Sequence, residues 1–347
     1  KNDVYRFAIE ITKKYISRLP QQGITSIYVQ DERVKDVDVS YLISQNLQIT
    51  ALKKVKEIND AIADKYKSYK KGKSQKSDNL RFLEDIHTDI HQIAKEIVED
   101  FSRVKNPMIN IVDSRSYDDY IYYHMLNVAI LAILIGKGLG FKEDKMVDLA
   151  KGCMIHDVGI LIKVPEDVRM KKGDLTDEEY ELIKEHAEFG YRYLKQMRGF
   201  SILSAHVIYQ HHDRYNGKGY PRGLKEDEIT EYGYIAGLAD VYDAITNNKV
   251  YKLRVLPDKA REFLLVSKDK FFPGYIIDQL LKRIPAYPNG TTVLLSNRAL
   301  GVIVKQNMDN LSRPVVRILN ENGEELKKGY DINLNKTNSL LIKKVLD

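Results

Sequence analysis

The histidines constrain this chain more than any other feature of its sequence. Six of its eight histidines lie within residues 102–285, where the apolar residues follow helical spacing almost throughout, and five of these six form a distinctive set. The five are His124, His156, His186, His211 and His212. Each is close in sequence to a carboxylate or to another histidine. A lone histidine on a helix is usually structural, and we interpret the other three in that way: His87, His91 and His206. Five histidines in one helical stretch predict a shared site.

The residue types in this set are suited to metal binding. Imidazole and carboxylate are ligands for iron, manganese and zinc, and the lack of thiolates in the set excludes a structural zinc site of the cysteine type. His156 and Asp157 can both face a cleft if the helix unwinds beside them, as Gly159 and Pro165 predict. A carboxylate can bridge two ions, whereas an imidazole cannot. The pattern therefore predicts a two-metal site, in which ions ~3.5–4 Å apart clamp the oxygens of a phosphoryl displacement.

The remaining patterns predict a mainly α protein in four parts. These are a small α/β N-terminal module at residues 1–70, a helical linker at 71–101, an all-helical domain with the histidines at 102–285 and a short strand-rich tail at 286–347. In the module, helical patterns at 3–19 and 39–70 flank a β-rich run at 24–29. In the tail, three β-branched runs at 292–295, 302–304 and 315–319 are separated by Asn, Gly and Pro and predict strands.

The linker carries a heptad-like apolar stripe. Its members are Leu83, Ile86, Ile90, Ile93, Ile97 and Phe101. Two interpretations of the stripe remain open. It is either the seam of a homodimer formed through the N-terminal helices or the face that packs onto the next domain.

Composition is that of an ordinary soluble globular protein, with 43% hydrophobic and 30% charged residues. The longest apolar run, 128–135, is shorter than the ~18–20 residues of a membrane helix, so we interpret it as a buried core helix and expect no membrane segment. A single cysteine, Cys153, excludes a disulfide framework and indicates the cytoplasm. Much of the net charge of +6 lies in residues 66–76, which we interpret as a solvated linker. We expect no duplex nucleic acid as a partner.

The motifs around the histidines resemble those of the HD-GYP branch of the HD superfamily of metal-dependent phosphohydrolases. Residues 156–159 (HDVG) resemble the HD doublet, residues 211–221 (HHDRYNGKGYP) the HHExxDGxGYP signature and residues 239–244 (ADVYDA) the ADxxDA stretch. His186, in HAEFG, and the predicted helix at 117–128 match the remaining histidine positions. The matches follow the family's order over about residues 102–285, and the strand-rich tail also resembles the usual end of this family.

This resemblance implies hydrolysis of cyclic di-GMP to the linear dinucleotide pGpG, at two divalent ions that are iron or manganese. It implies seven metal ligands: His124, His156, Asp157, His186, His211, His212 and Asp240. Three of these would also act in catalysis: His156, Asp157, which would bridge the ions, and Asp240. Substrate contacts would come from Arg214, Gly217, Tyr220, Lys249 and Lys252.

Four positions depart from the family's pattern. Ile160 replaces the lysine of HDxGK, and its side chain can neither bind a metal nor donate a proton. Asp213 shortens the glutamate of HHE, and Asn216 replaces an aspartate with a neutral side chain that still forms hydrogen bonds. Tyr120 stands where three-metal members carry a glutamate, one turn before the first histidine, so we expect two ions rather than three.

These departures leave two other functions open. A chain without the lysine and with altered carboxylates would suit a receptor that binds the cyclic dinucleotide but turns it over weakly. The HD doublet is also shared by phosphohydrolases that act on other nucleotides. Turnover by purified, metal-loaded protein separates the enzyme from the receptor, and a panel of substrates identifies the nucleotide.

The two lysines predicted to contact substrate generate a kinetic prediction. Lysine attracts phosphate oxygens as a point charge, so we expect Lys249→Ala and Lys252→Ala to raise KM more than they lower kcat, with a larger effect at low ionic strength. Steady-state kinetics at two salt concentrations measure this effect. Unchanged substrate affinity in both variants would show that these lysines are solvated surface residues that do not contact substrate.

Overall fold

A computed structural model describes residues 31–37, 42–72, 76–104, 120–171, 173–247 and 255–346. Its helices are α1 (Gln45–Lys70), α2 (Lys76–Ser102), α3 (Tyr120–Gly138), α4 (Glu143–Cys153), α5 (Val158–Lys163), α6 (Glu166–Arg169), α7 (Asp177–Leu194), α8 (Ile202–Gln210), α9 (Glu231–Thr246), α10 (Pro257–Val266) and α11 (Gly274–Leu281). The prediction of a mainly α chain with a strand-rich end is confirmed. The predicted helix at 3–19 and the β-rich run at 24–29 lie outside the described residues, so the α/β character of the N-terminal module stays a prediction.

Helices α1 and α2 share a core with the histidine-bearing helices. The whole apolar stripe of α2 is buried. Helix α2 packs against α1 and α4, and α1 also contacts α3 and α5. Asn59 of α1 is buried, and its amide donates a hydrogen bond to the carbonyl oxygen of Met154 (3.0 Å), two residues before His156. The stripe is thus covered within the chain, as one of the two interpretations expects, and the homodimer stays a prediction.

Helix α3 runs through the centre of this core. It packs against α1, α4, α9 and α11, and its residues 128–136 are all buried, which agrees with the core-helix interpretation of 128–135. By length and composition α3 is apolar enough to cross a membrane, and 72% of its most apolar window is buried inside the protein. Core helices of soluble proteins pass the same test. The longest uninterrupted apolar run, 128–135, is thus only part of a longer apolar helix.

The strand-rich tail forms one antiparallel sheet. Its strands are β1 (Thr292–Leu295), β2 (Leu300–Lys305), β3 (Val315–Glu321), β4 (Glu324–Asn333) and β5 (Ile342–Leu346), in the order β4-β3-β2-β1-β5. Sequence patterns predicted the three central strands but not the two at the edges. Strands β4 and β5 are largely exposed and rich in charged residues, so burial does not impose the apolar alternation by which strands are recognised.

Candidate metal centre

The seven predicted ligands lie together in the interior of the helical domain. His124 is on α3, His156 and Asp157 are in the turn between α4 and α5, His186 is on α7, His211 and His212 follow α8, and Asp240 is on α9. All are buried except His212, which is half-buried. Their ligand atoms form two groups, and the atoms of each group lie within 4.8 Å of one another. The Asp157 group is Asp157, His186, His211 and His212, and the His124 group is His124, His156 and Asp240.

Asp157 lies between the two groups. Its Oδ1 is 3.2 Å from His186 Nε2 and 3.6 Å from His211 Nε2. Its Oδ2 is 3.5 Å from His156 Nε2 and 3.8 Å from His124 Nε2. One carboxylate therefore directs each oxygen at a different set of ligands.

Asp240 also reaches both groups. Its Oδ1 is 3.0 Å from His124 Nε2, and its Oδ2 is 3.8 Å from His212 Nδ1. Of the two carboxylates, only Asp157 was predicted to span the cluster, and the structure adds Asp240 as a second.

Three histidine rings are fixed by hydrogen bonds to backbone. The Nδ1 of His156 lies 2.8 Å from the carbonyl oxygen of Cys153, and that of His186 lies 2.6 Å from the carbonyl oxygen of Ile183. His211 is held in the same way by the carbonyl oxygen of Ile208, at 3.0 Å. A carbonyl can only accept, so the proton is on Nδ1 and the neutral ring presents a lone pair at Nε2. Each ring is thereby oriented as a metal ligand.

The inward-facing atoms are acceptors that face one another. His186 Nε2 is 3.2 Å from His211 Nε2, and both face Asp157 Oδ1. The buried Nε2 of His156 has no hydrogen-bond partner among the described residues. A buried polar atom left unsatisfied costs about 1–3 kcal/mol, and opposed lone pairs repel. Cations bound between these atoms would remove both costs, so the residues present fit divalent metal ions.

Charges in the cluster follow from burial and from neighbouring groups. Burial alone would raise the pKa values of Asp157 and Asp240, but the surrounding histidines hold both well below the usual carboxyl range. Burial lowers the pKa of His156 to about 4, so this ring is neutral at pH 7. Burial also opposes protonation of His124, but hydrogen bonds to Asp240 and Asp243 outweigh it and raise the pKa of His124 to about 10. A cation at His124 Nε2 would therefore displace a proton.

Two glycines allow the ligand-bearing segments to pack closely. A Cβ at Gly159 would lie 2.1 Å from the carbonyl oxygen of His186, so α5 can contact α7 here only without a side chain. A Cβ at Gly237 would lie 2.5 Å from the carbonyl oxygen of His211. The predicted unwinding beside His156 is present, since α4 ends at Cys153 and α5 begins at Val158. Its assignment to Gly159 was wrong, because Gly159 lies inside α5 and serves this close contact.

The loop after His212 is closed by its own polar side chains. Asp213 Oδ1 accepts a hydrogen bond from the N–H of Leu224 (3.0 Å), and burial raises the pKa of Asp213 to about 6. Asn216 Oδ1 accepts from the N–H of Lys218 (3.1 Å), and Gly217 follows with a φ of 73°, which favours glycine. Asp213 and Asn216 belong to neither ligand group, so these two departures from the family signature fall on residues that shape the loop.

Arg214 and Tyr220 lie beside the cluster. The Nη1 of Arg214 donates to the carbonyl oxygens of His211 (2.8 Å) and Asp213 (2.9 Å), so this side chain braces the turn that carries the ligands. The Tyr220 ring stacks on His212, with a centroid distance of 4.5 Å. Substrate contact by Arg214, Gly217 and Tyr220 stays a prediction, and Lys249 and Lys252 lie outside the described residues.

Tyr120 and Ile160 each lie four residues from a predicted ligand histidine. The Tyr120 ring lies parallel to that of His124, with the centroids 6.1 Å apart. Ile160 is half-buried on α5, one turn after His156.

Sequence reasoning missed Asp243 as a functional residue. Its Oδ2 accepts a hydrogen bond from His124 Nδ1 (2.7 Å), while its Oδ1 accepts from the amides of Asn127 (2.8 Å) and Asn247. Asp243 thus orients His124 through a carboxylate, whereas His156, His186 and His211 are oriented by backbone carbonyls. Its position three residues after Asp240 places both on one face of α9, and this spacing was the available signal.

Comparison with known families identifies the family of this chain. The HD domain family matches residues 97–270, half of the chain, and a KOW domain associated with HD domain matches residues 292–347. The chain therefore belongs to the HD domain family, as the motifs predicted.

Three relatives have named activities. A cyclic di-GMP phosphodiesterase of Pseudomonas aeruginosa (PA4108) is 30% identical over 65% of this chain and 55% of its own length. A cyclic di-GMP phosphodiesterase of Thermotoga maritima is 30% identical over 68% of this chain and 62% of its own length. A 3'3'-cGAMP-specific phosphodiesterase of Vibrio cholerae is 27% identical over 56% of this chain and 35% of its own length. The chain thus spans less than two thirds of the length of each of these relatives.

The position of Asp243 predicts a metal-affinity defect. Asp243→Asn replaces one carboxylate oxygen with an NH2 group, which cannot accept a hydrogen bond. The variant can then no longer accept from His124 Nδ1 and from both asparagines at once, so His124 loses its orientation. We expect a 10–100-fold loss of affinity for Mn²⁺ or Fe²⁺, the usual effect of removing such a partner. Competition with a chelator measures the affinity, with Asp309→Asn on the exposed tail as the matched control. Unaltered affinity in Asp243→Asn would show that His124 needs no such support.

Proposed function

We propose that this chain is a phosphodiesterase that hydrolyses cyclic di-GMP to pGpG at a binuclear centre of iron or manganese. The observation that carries the proposal is the position of Asp157, whose two oxygens face two separate groups of buried imidazole ligands. Two-metal sites of this composition favour in-line displacement at phosphorus. The choice of cyclic di-GMP rests on the names of two relatives that are each 30% identical to the chain.

The proposed metal sites divide the ligands between them. His186, His211 and His212 would hold one ion, and His124, His156 and Asp240 the other, with Asp157 shared. Bound divalent ions would polarise a water molecule and a phosphoryl oxygen and would stabilise charge on the departing 3′ oxygen. The fixed rings supply these ligands without reorganisation, because each Nδ1 is already committed to a hydrogen bond. The proposed catalytic residues are therefore His156, Asp157 and Asp240.

The seven proposed ligands agree better with two bound ions than with three. A third ion would need a further carboxylate near His124, one turn back on α3. That position is Tyr120, whose phenol has an unperturbed pKa of ~10 and is a reluctant anion at neutral pH. Ile160 likewise supplies no ligand atom where the family has lysine.

The other interpretations start from particular observations. The presence of Ile160 in place of the family's lysine favours a receptor function, since a side chain that cannot donate a proton would slow turnover without preventing binding. The relative from Vibrio cholerae favours a different cyclic dinucleotide, because it is named for 3'3'-cGAMP. Binding and turnover of cyclic di-GMP, 3'3'-cGAMP and cyclic di-AMP by metal-loaded protein distinguish the three functions. Turnover of cyclic di-GMP above the others supports the proposal, and binding without turnover supports the receptor.

The bridging role predicts a coupled loss of metal and activity. We expect Asp157→Ala to abolish phosphodiesterase activity and to remove tight binding of both ions, because each ion loses its shared carboxylate oxygen. Elemental analysis and turnover of cyclic di-GMP are measured on the same preparation, with Asp309→Ala as the control. A variant that keeps two tightly bound ions per chain would contradict the bridge.

A further inference from the structure

A tyrosine and a lysine near the start of α7 extend the cluster towards solvent. Tyr180 is 46% exposed. The Lys184 ammonium lies 4.6 Å from the centroid of the Tyr180 ring and 5.8 Å from that of Tyr220. Tyr220 in turn stacks on His212. A continuous row of rings with one ammonium therefore leads from a proposed metal ligand to the surface.

The contact between Tyr180 and Lys184 would be unremarkable by itself, because residues at i and i+4 are neighbours on any helix. What sets it apart is Tyr220, which comes from the loop after His212 and whose ring centroid is also only 5.8 Å from the Lys184 ammonium. The two tyrosines and the lysine thus form one surface although they belong to separate segments.

This surface is held in place before any ligand arrives. Thr176 and Glu179 form a reciprocal capping box at the start of α7, with Thr176 Oγ1 accepting from the Glu179 N–H (3.2 Å). Glu179 is also paired with Lys171 (2.5 Å). Tyr180 follows directly in the first turn, so its backbone is fixed. Fixed aromatic groups bind a ligand with little loss of conformational entropy.

The Lys184 ammonium has a partner that a phosphate can replace. Its Nζ is 2.6 Å from the Glu181 carboxylate, whose side chain is 68% exposed. Exposed ion pairs of this kind contribute only ~0–1 kcal/mol. An anionic ligand therefore competes with Glu181 for Lys184 at little cost, and Glu181 opposes that ligand by its own charge.

We propose that Tyr180, Lys184 and Tyr220 form a subsite for one nucleoside phosphate half of the cyclic dinucleotide. The exposed face of Tyr180 stacks on the nucleobase, and the Lys184 ammonium contacts a phosphate oxygen. Stacking of a base on an aromatic ring is worth ~1–3 kcal/mol by alanine substitution and accepts any base. This inference rests on the proposed function.

The stacking role is tested with Tyr180→Ala and Tyr180→Phe. We expect Tyr180→Ala to raise the Kd and KM for cyclic di-GMP by about 5- to 150-fold, as that stacking energy implies, with kcat little changed. Tyr180→Phe keeps the ring and should bind like wild type. Hydrolysis of a diester without a nucleobase, methyl para-nitrophenyl phosphate, should be unaffected by either change. Tyr330→Ala, on the sheet and 44% exposed, is the matched control.

The phosphate role is tested by opposite charge changes. Lys184→Gln should weaken binding and Glu181→Gln should tighten it, both more strongly at low ionic strength. Lys195→Gln removes the same charge from beside another tyrosine of α7 and should leave affinity unchanged.

The outcomes distinguish the subsite from the function on which it rests. Wild-type protein that binds and cleaves cyclic di-GMP, with Tyr180→Ala and Lys184→Gln indistinguishable from it, overturns the subsite alone. Wild-type, metal-loaded protein that neither binds nor cleaves any cyclic dinucleotide overturns the proposed function and the subsite together. Loss of affinity in Tyr180→Ala with rescue in Tyr180→Phe supports both.

Discussion

The carboxylate of Asp157 is buried with its two oxygens directed at different imidazoles, His186 and His211 on one side and His156 and His124 on the other. A buried charge is costly unless it is paired. A neutral ring whose Nδ1 proton is bound to a backbone carbonyl has no proton at Nε2 to donate to this carboxylate, and the Nδ1 of three of these rings is bound in that way. Positive charge between the groups satisfies the carboxylate and the lone pairs together. The rest of the helical domain holds these acceptors at distances that cations can span.

The helix ends make this arrangement possible. The last carbonyls of a helix lack intrahelical partners. His156 and His211 each bind a carbonyl three residues earlier, at the ends of α4 and α8, so a ring is oriented where the backbone has an acceptor to offer. Gly159 then lets α5 approach the carbonyl of His186. The adjacent pairs His156–Asp157 and His211–His212 thus reach one space because each lies just beyond a helix end.

Local sequence was sufficient for the fold class and for finding residues that lie together in the structure, and it failed where the interacting residues are distant in the chain. The His–Asp and His–His pairs are adjacent, and the ligand types restrict the chemistry, so all seven predicted ligands meet in the structure. Asp243 escaped notice because its partner, His124, is on another helix. The role of Gly159 depends on α7, which no local pattern reveals. Strands β4 and β5 were missed because exposed edge strands need no apolar alternation.

The proposed binuclear centre is tested most directly by counting and locating the ions. Protein prepared without oxygen is analysed for iron and manganese, and anomalous diffraction from its crystals locates each ion. We predict two ions per chain, one in each ligand group, with one oxygen of Asp157 bound to each. A single ion, three fully occupied ions, or two ions without Asp157 between them would contradict this account.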